Sequence, residues 1–266
     1  MGSETMLKQK KVIVSLTSFP AAITFAKGAI KSILEGSTLP DKLVLYLTFS
    51  QFKNSKIPPE LTTLAKNNPL FEIRNYNEDI RSYRKLIPAI KDFPNEIIVT
   101  IDDDVRYHKN MLRDLLHLHK QIPKVIIANR AKKIKLNTPY RQWKKYRWYH
   151  FLFNKLHYSF KNIQTGVGGV LYPPNSLNEE MIYSNMFKEI APTTDDIWFW
   201  AAAVAKGTYI LPFPFGKYNK PCGLKKPKDL SLKTVNFKTG TDLNRKGLEK
   251  ILQKYTIIKQ RIDNEK

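Results

Sequence analysis

The chain has 266 residues, of which 45 are Lys or Arg and 23 are Asp or Glu, so it carries a formal charge of +22 at pH 7. With 42% hydrophobic residues, its composition is that of a folded protein and excludes a disordered, collagenous or coiled-coil chain. The charge surplus favours a polyanionic partner such as nucleic acid, an anionic membrane or a phosphorylated substrate. The single cysteine, Cys222, excludes an internal disulfide framework and a Cys-rich zinc site, and we therefore expect a cytoplasmic protein.

Apolar runs of strand length alternate with segments of helical period through the first half of the chain. Strands are predicted at residues 11–16, 41–49, 70–76, 96–101 and 125–129. Helices are predicted at residues 23–35, 58–66, 83–93 and 110–122. This alternation is typical of βαβ units, so we predict an α/β fold with a mainly parallel central sheet flanked by helices.

A basic and aromatic stretch at residues 130–162 interrupts this alternation, and we interpret it as an insertion or a mobile surface segment. A regular pattern then returns with further predicted elements: a strand and turn at 166–174, helices at 176–187 and 196–207, and a strand at 208–215. The longest apolar stretch, residues 197–205, is too short to cross a bilayer.

The two ends of the chain are expected to lie outside the main domain, which we place at residues 11–215. Residues 1–10 lack an apolar signal core and are interpreted as a tag remnant or a disordered start. Residues 216–266 form a basic C-terminal extension, in which residues 247–262 are predicted to be a helix.

Three consecutive carboxylates, Asp102, Asp103 and Asp104, directly follow the predicted strand at 96–101. Ligands of open α/β sheets bind at the carboxyl ends of the strands. Adjacent carboxylates repel one another, and a hard divalent cation such as Mg²⁺ or Mn²⁺ would relieve that repulsion. The alternative is that the aspartates cap the helix that follows.

A second acidic pair, Asp195 and Asp196, opens the helix predicted at 196–207 after Thr193 and Thr194. Helix capping explains these residues, but a carboxylate at this position can also act as a general base. The glycine-rich residues 166–169 lie between the two acidic groups, and glycines let backbone approach a ligand closely.

Five segments in a fixed order resemble a GT-A-fold glycosyltransferase over residues 11–215. They are SLTSFP at 15–20, RSYRKLIPAI at 81–90, IDDD at 101–104, TGVGG at 165–169 and TDDIWFWAAA at 194–203. The set is similar to that of bacterial enzymes that build capsule or lipopolysaccharide glycans and, more distantly, to the exostosin-like transferases.

The resemblance implies roles for residues on the donor side. Thr17, Ser18 and Phe19 are expected to hold the base and ribose of the nucleotide. Arg81 and Lys85 are expected to meet the donor diphosphate.

It also implies roles for the acidic and glycine segments. Asp102 and Asp104 correspond to the metal-binding DxD carboxylates, and Asp102 or Asp103 is expected to bind ribose or metal-bound water. Gly168 and Gly169 are expected near the donor sugar and the acceptor.

The function implied is metal-dependent transfer of a sugar from a nucleotide sugar, expected to be a UDP-sugar, to a bacterial surface glycan or lipid-linked acceptor. Asp196 corresponds to the base of inverting members and Asp195 to a residue that orients substrate, although retaining enzymes also keep acids there. The QxxRW motif of processive members is absent, since Lys145 and Tyr146 stand where arginine and tryptophan belong, so a non-processive enzyme is expected.

Two other functions remain open. A phosphohydrolase of the haloacid dehalogenase type also carries Asp-x-Asp after a strand, but its motif requires Thr or Val where this chain has Arg106. A nucleic-acid-binding protein would explain the charge, yet no helix-turn-helix, RNP or zinc-finger pattern is present. Residues 140–160 would suit the inner-membrane surface, a sugar or a nucleic acid, or a helix that packs its aromatic side chains inward.

Overall fold

The computed structural model describes residues 10–53, 56–214, 220–224 and 242–265, in which strands and helices alternate. The strands are β1 (Val12–Thr17), β2 (Lys42–Leu47), β3 (Phe71–Asn75), β4 (Ile97–Thr100), β5 (Val105–Arg106), β6 (Ile126–Ala128), β7 (Ala131–Lys133), β8 (Lys144–Lys145), β9 (Asn162–Gln164), β10 (Val170–Tyr172), β11 (Ile210–Pro212) and β12 (Cys222–Gly223). The helices are α1 (Ile23–Leu34), α2 (Pro59–Asn67), α3 (Ile87–Asp92), α4 (Met111–Gln121), α5 (Glu179–Tyr183), α6 (Phe187–Ile190), α7 (Asp195–Lys206), α8 (Leu243–Lys254) and α9 (Thr256–Asp263).

Seven of these strands form one central sheet in the order β11-β6-β10-β4-β1-β2-β3. Neighbours pair in parallel except at β10, which runs antiparallel between β4 and β6. The prediction of a mixed α/β fold with a mostly parallel sheet is confirmed, and the arrangement is Rossmann-like. The parallel strands all end on one side of the sheet, beyond Thr17, Thr100 and Ala128, which we call the carboxyl edge.

Helices cover both faces of the sheet, because its central strands are apolar on both sides. In β1, for example, Ile13 belongs to one core and Val14 to the other. Helices α1, α2 and α4 pack on the face that carries Val14. Helices α3 and α5 to α9 pack on the face that carries Ile13. Near-continuous apolar runs are typical of strands that are buried in this way.

Helix α7 is apolar on all sides from Ile197 to Val204, and this part lies within the core, as such a pattern requires. The indole N–H of Trp198 donates to the carbonyl of Met181 at 3.0 Å, and that of Trp200 donates to the carbonyl of Phe160 at 2.8 Å. The helix ends at Gly207, whose positive φ of 91° closes the last turn. The opposite end of α7, which carries the second acidic pair, is therefore firmly positioned.

Three predicted helices are each divided in two. The segment predicted at 83–93 forms a 3₁₀ turn at Arg81–Lys85 followed by α3. Pro88 has no N–H to donate to the carbonyl four residues earlier, so it is tolerated in the first turn of α3 but would interrupt a single helix that began at residue 83. Residues 176–187 contain α5 and the start of α6, and the C-terminal helix is divided into α8 and α9 at Tyr255.

Part of the stretch at 130–162 is integral to the fold, so its interpretation as a mobile surface segment is wrong for that part. Strands β7, β8 and β9 form a small antiparallel sheet in the order β8-β7-β9. Trp143 is only 3% exposed, and its indole N–H donates to the carbonyl of Lys135 at 3.1 Å. The aromatic side chains of this stretch thus divide between the core and the surface.

The predicted start at residues 1–10 falls almost wholly outside the described residues, as do residues 225–241 of the predicted extension. Among the helices that the structure does describe, none combines the length and the apolar character that a membrane span needs.

Candidate functional site

The first acidic group, Asp102 to Asp104, lies at the carboxyl edge, directly after β4. The backbone N–H of Asp102 donates to the Tyr107 hydroxyl oxygen at 2.8 Å, which turns the chain away from the strand. The glycine-rich segment reaches the same edge, because Val170 of the antiparallel β10 pairs with Thr100 at the end of β4. Strand order therefore brings residues 102–104 beside residues 166–169.

Lys85 joins the first acidic group to the second, which consists of Asp195 and Asp196 at the start of α7. Its ammonium lies 2.9 Å from Oδ1 of Asp102 and 3.1 Å from Oδ2 of Asp195. Both Lys85 and Asp195 are buried, and Asp102 is partly exposed. The lysine thus sits between a carboxylate at a strand end and a carboxylate at a helix start.

This environment keeps Lys85 charged. Burial by itself lowers the pKa of a lysine, but the carboxylates of Asp102, Asp195 and Asp196 outweigh it and raise the pKa of Lys85 well above its usual value. Removal of one partner from such a group leaves an uncompensated charge in the interior. The ammonium of Lys85 contacts the carboxylates of Asp102 and Asp195, and its predicted contact with a donor phosphate stays a prediction.

Asp196 is held by the glycine-rich segment. Its Oδ1 accepts the backbone N–H of Gly166 at 3.1 Å, and its carbonyl accepts the side-chain amide of Gln164 at 3.4 Å. Burial and the neighbouring Asp195 raise the pKa of Asp196 to about 7, against the opposing effect of Lys85. A carboxylate with a pKa near neutrality suits a group that accepts and releases a proton.

Gly166 allows these groups to meet. A Cβ atom at this position would lie 2.3 Å from Nζ of Lys85 and 3.0 Å from Oδ1 of Asp102. Any side chain here would displace the lysine, so the close approach requires glycine.

A buried arginine that the sequence did not single out orders the end of β1. Arg84 is 1% exposed, and its guanidinium donates to Oγ1 of Thr17 and to the carbonyl of Ser18, each at 2.7 Å. The Ser18 hydroxyl in turn donates to Asp103. Because a buried arginine needs partners, its place inside the apolar segment 83–90 was the signal that could have identified it.

Arg81, in contrast, lies at the exposed start of the same segment. Its φ of 52° is unusual for a residue other than glycine, and its backbone N–H donates to Oδ1 of Asp79 at 3.0 Å. The structure therefore brings Lys85 into the cluster of acids, and Arg81 stands apart from that cluster.

The remaining predicted residues lie around the same edge. The carbonyl of Phe19 accepts the N–H of Ala22, and that of Asp104 accepts the N–H of Leu224. Gly169 has a φ of 85°, which favours glycine, and a Cβ at Gly168 would lie 2.7 Å from the backbone nitrogen of Arg130. Their contacts with a substrate stay predictions.

Lys132 forms a cationic part of the site that the sequence did not single out. It is buried, with Nζ 3.5 Å from the ring centroid of Tyr140. Burial and the nearby charges of Lys145 and Arg130 lower the pKa of Lys132 to about 8, while Asp196 acts in the opposite direction. Its place on β7 near Asp196 is set by the pairing of β7 with β9, which no local pattern revealed.

The fit of a divalent cation depends on Asp102 and Asp104. Within the described residues, no three His, Cys, Asp or Glu side chains come together as a complete metal centre. Carboxylate oxygens are nevertheless suitable donors for Mg²⁺ or Mn²⁺, and Asp102 has a second oxygen besides the one that binds Lys85. The donor chemistry therefore fits a cation that also takes oxygen ligands from a substrate or water.

No family model matches this chain, and no curated protein does. Inferences about function therefore depend on the fold and on the geometry of the site.

Proposed function

We propose that the chain is a metal-dependent, non-processive glycosyltransferase with a GT-A fold. It would transfer a sugar from a nucleotide sugar, expected to be a UDP-sugar, to a bacterial surface glycan or lipid-linked acceptor in the cytoplasm. The observation that carries the proposal is the junction of two acidic groups at the carboxyl edge, where Lys85 links Asp102 to Asp195 beside Asp196. A mostly parallel sheet with aspartates after a central strand is compatible with the GT-A fold that residues 11–215 resemble.

The donor nucleotide is assigned to the end of β1. Arg84 holds Thr17 and the Ser18 carbonyl, so the segment that would receive the base and ribose is ordered before substrate arrives. Asp102 and Asp104 are the residues that would hold Mg²⁺ or Mn²⁺, which supplies positive charge to a leaving nucleoside diphosphate when bound.

Lys85 has a positioning role in this proposal. Its ammonium holds one oxygen of Asp102 and pairs with the carboxylate of Asp195 beside Asp196. The negative charge of Asp195 helps to keep the pKa of Asp196 near 7. At neutral pH a carboxylate with this pKa is deprotonated in part of the molecules and is basic enough to accept a proton.

Asp196 is the proposed general base. Because its Oδ1 accepts the Gly166 N–H, we assign proton transfer to Oδ2. The acceptor oxygen forms a bond to the anomeric carbon while its proton moves to Asp196. The bond from that carbon to the phosphate oxygen breaks, and the nucleoside diphosphate leaves with the electron pair.

The test is calorimetric titration of the protein with UDP, GDP and CMP, with and without Mn²⁺. We expect one nucleotide to bind in a metal-dependent manner, and we expect Asp104→Ala to weaken that binding at least about tenfold because it removes a charged ligand. Asp263→Ala is the matched control, since Asp263 is exposed at the end of α9. This variant should bind the nucleotide as the wild-type protein does.

Absence of binding by all three nucleotides would overturn the proposal. If the protein then bound oligonucleotides with a steep salt dependence, the nucleic-acid alternative would replace it. Hydrolysis of a phosphate monoester, lost in Asp102→Ala, would instead support the phosphohydrolase alternative. Thermal unfolding curves of each variant check that the fold is retained.

A further inference from the structure

An exposed apolar tip projects from the chain at residues 149–153. Leu152 and Phe153 are 72% and 65% exposed, the highest values among the large hydrophobic side chains of the described residues. Tyr149 and Phe151 beside them are also exposed. Folded proteins seldom expose large apolar side chains side by side unless the patch contacts a partner or a membrane.

The tip is a closed turn with defined hydrogen bonds. The N–H of Lys155 donates to the carbonyl of His150 at 3.0 Å, and that of Asn154 donates to the carbonyl of Phe151 at 3.1 Å. Asn154 has a φ of 47°, a conformation that asparagine tolerates better than most residues. The turn therefore holds Leu152 and Phe153 outward as part of the fold.

The chain around the tip is strongly basic. Residues 130–162 contain ten Lys or Arg residues and no Asp or Glu. Those nearest the tip in sequence, all of them exposed, are Lys144, Lys145, Arg147 and Lys155. An apolar centre surrounded by cations is complementary to a surface that is apolar inside and anionic outside.

The tip lies on the same side of the molecule as the acidic site. The ring of Phe151 packs edge-on against Phe213 with 5.4 Å between centroids. The N–H of Phe213 donates to the carbonyl of Ala128 at the end of β6, which places both rings at the carboxyl edge. Three strand spacings separate β11 from β4, so Phe213 lies about 15 Å from the chain at Asp102.

We propose that this tip inserts into the headgroup region of an anionic phospholipid bilayer and turns the carboxyl edge toward it. A second copy of the chain is a poor occupant, since it would bring two acid-free basic segments together. A nucleic acid is also a poor occupant, because Leu152, the most exposed large hydrophobic side chain of the described residues, cannot stack on a base. The inference does not depend on the proposed sugar transfer.

Co-sedimentation with phosphatidylcholine vesicles, with and without phosphatidylglycerol, tests the proposal. The wild-type protein should sediment with the anionic vesicles. The double variant Leu152→Ser and Phe153→Ser should bind at least about tenfold more weakly, since it removes the inserted apolar surface. Leu39→Ser is the matched control: Leu39 is 51% exposed, but it precedes β2 at the opposite edge, so its loss should leave binding unchanged.

A second variant separates the contribution of charge. Replacement of Lys144, Lys145 and Arg147 by glutamate should abolish binding to the anionic vesicles, because it inverts the charge around the tip. Equal binding by the wild type and the Leu152/Phe153 variant would overturn the proposal, as would failure of the wild type to bind anionic vesicles. Nucleotide titration of the Leu152/Phe153 variant keeps this result separate from the proposed function, because that variant should bind nucleotide as the wild type does.

Discussion

The two acidic groups of the site consist of the same side chains in different surroundings. Residues 102–104 follow a strand, and Asp102 is partly exposed with one oxygen on Lys85. Asp196 is also partly exposed, but it lies in the first turn of α7, where burial of its carboxylate and the neighbouring Asp195 raise its pKa to about 7. The first group can therefore hold charge against a cation or substrate, and the second can exchange a proton. Solvation, more than residue type, separates these two kinds of chemistry.

The largest expected effect comes from removing the proton acceptor. Asp196→Asn keeps an oxygen that can accept the Gly166 N–H, but an amide cannot take a proton from an acceptor hydroxyl. We expect transfer to fall by about 10²-fold or more while nucleotide binding is unchanged. The measurement is turnover of the nucleotide sugar that the titration identifies. Full activity of the variant would show that Asp196 is not the base.

The link between the two acidic groups is tested by Lys85→Met. The change leaves two carboxylates without their shared cation, and loss of one member of a buried ion pair costs about 3–5 kcal/mol. Urea unfolding measures the loss, and Lys120→Met on the exposed side of α4 is the control, with an expected change near zero. Equal stability of the two variants would mean that Lys85 does not join the groups.

The close approach at Gly166 predicts a smaller effect. Gly166→Ala places a methyl group against Nζ of Lys85, and we expect a loss of about 1–3 kcal/mol together with weaker activity. Gly223→Ala is the matched control, because a Cβ there meets no atom within 4 Å. If both alanine variants unfold at the same urea concentration, the contact at Gly166 is not tight.

The smallest effect concerns pH. A base with a pKa of about 7 makes the transfer rate rise as pH increases through 7. Because Asp196 has a higher pKa when folded than its usual 3.8, its protonated form favours folding, and that contribution is lost as pH rises through 7. Asp195→Asn removes a like charge, so the rising limb of the rate should move by about one pH unit to lower pH. A pH profile of the rate of both proteins measures the shift. If the rising limb stays at the same pH in the variant, the charge of Asp195 does not raise the pKa of Asp196.

The sequence by itself determined the mixed α/β fold class and indicated where a functional site is expected. Alternating apolar runs and helical periods predict an α/β sheet, because burial on both faces requires such strands. The aspartates after a buried strand predict a site at the carboxyl edge, since every parallel strand ends there. The GT-A assignment and the substrate-binding roles of Thr17, Ser18 and Phe19 stay predictions.

Only the tertiary structure decided which side chains meet. Lys85 contacts Asp195 across 110 residues of chain because β10 enters between β4 and β6 and brings the glycine segment and α7 to the same edge. The apolar segment around Arg84 indicates that this arginine is buried, but only the fold shows that its guanidinium binds Thr17 and Ser18 at the end of β1. The pKa of Asp196 likewise depends on burial and neighbouring charge, which are properties of packing between distant segments.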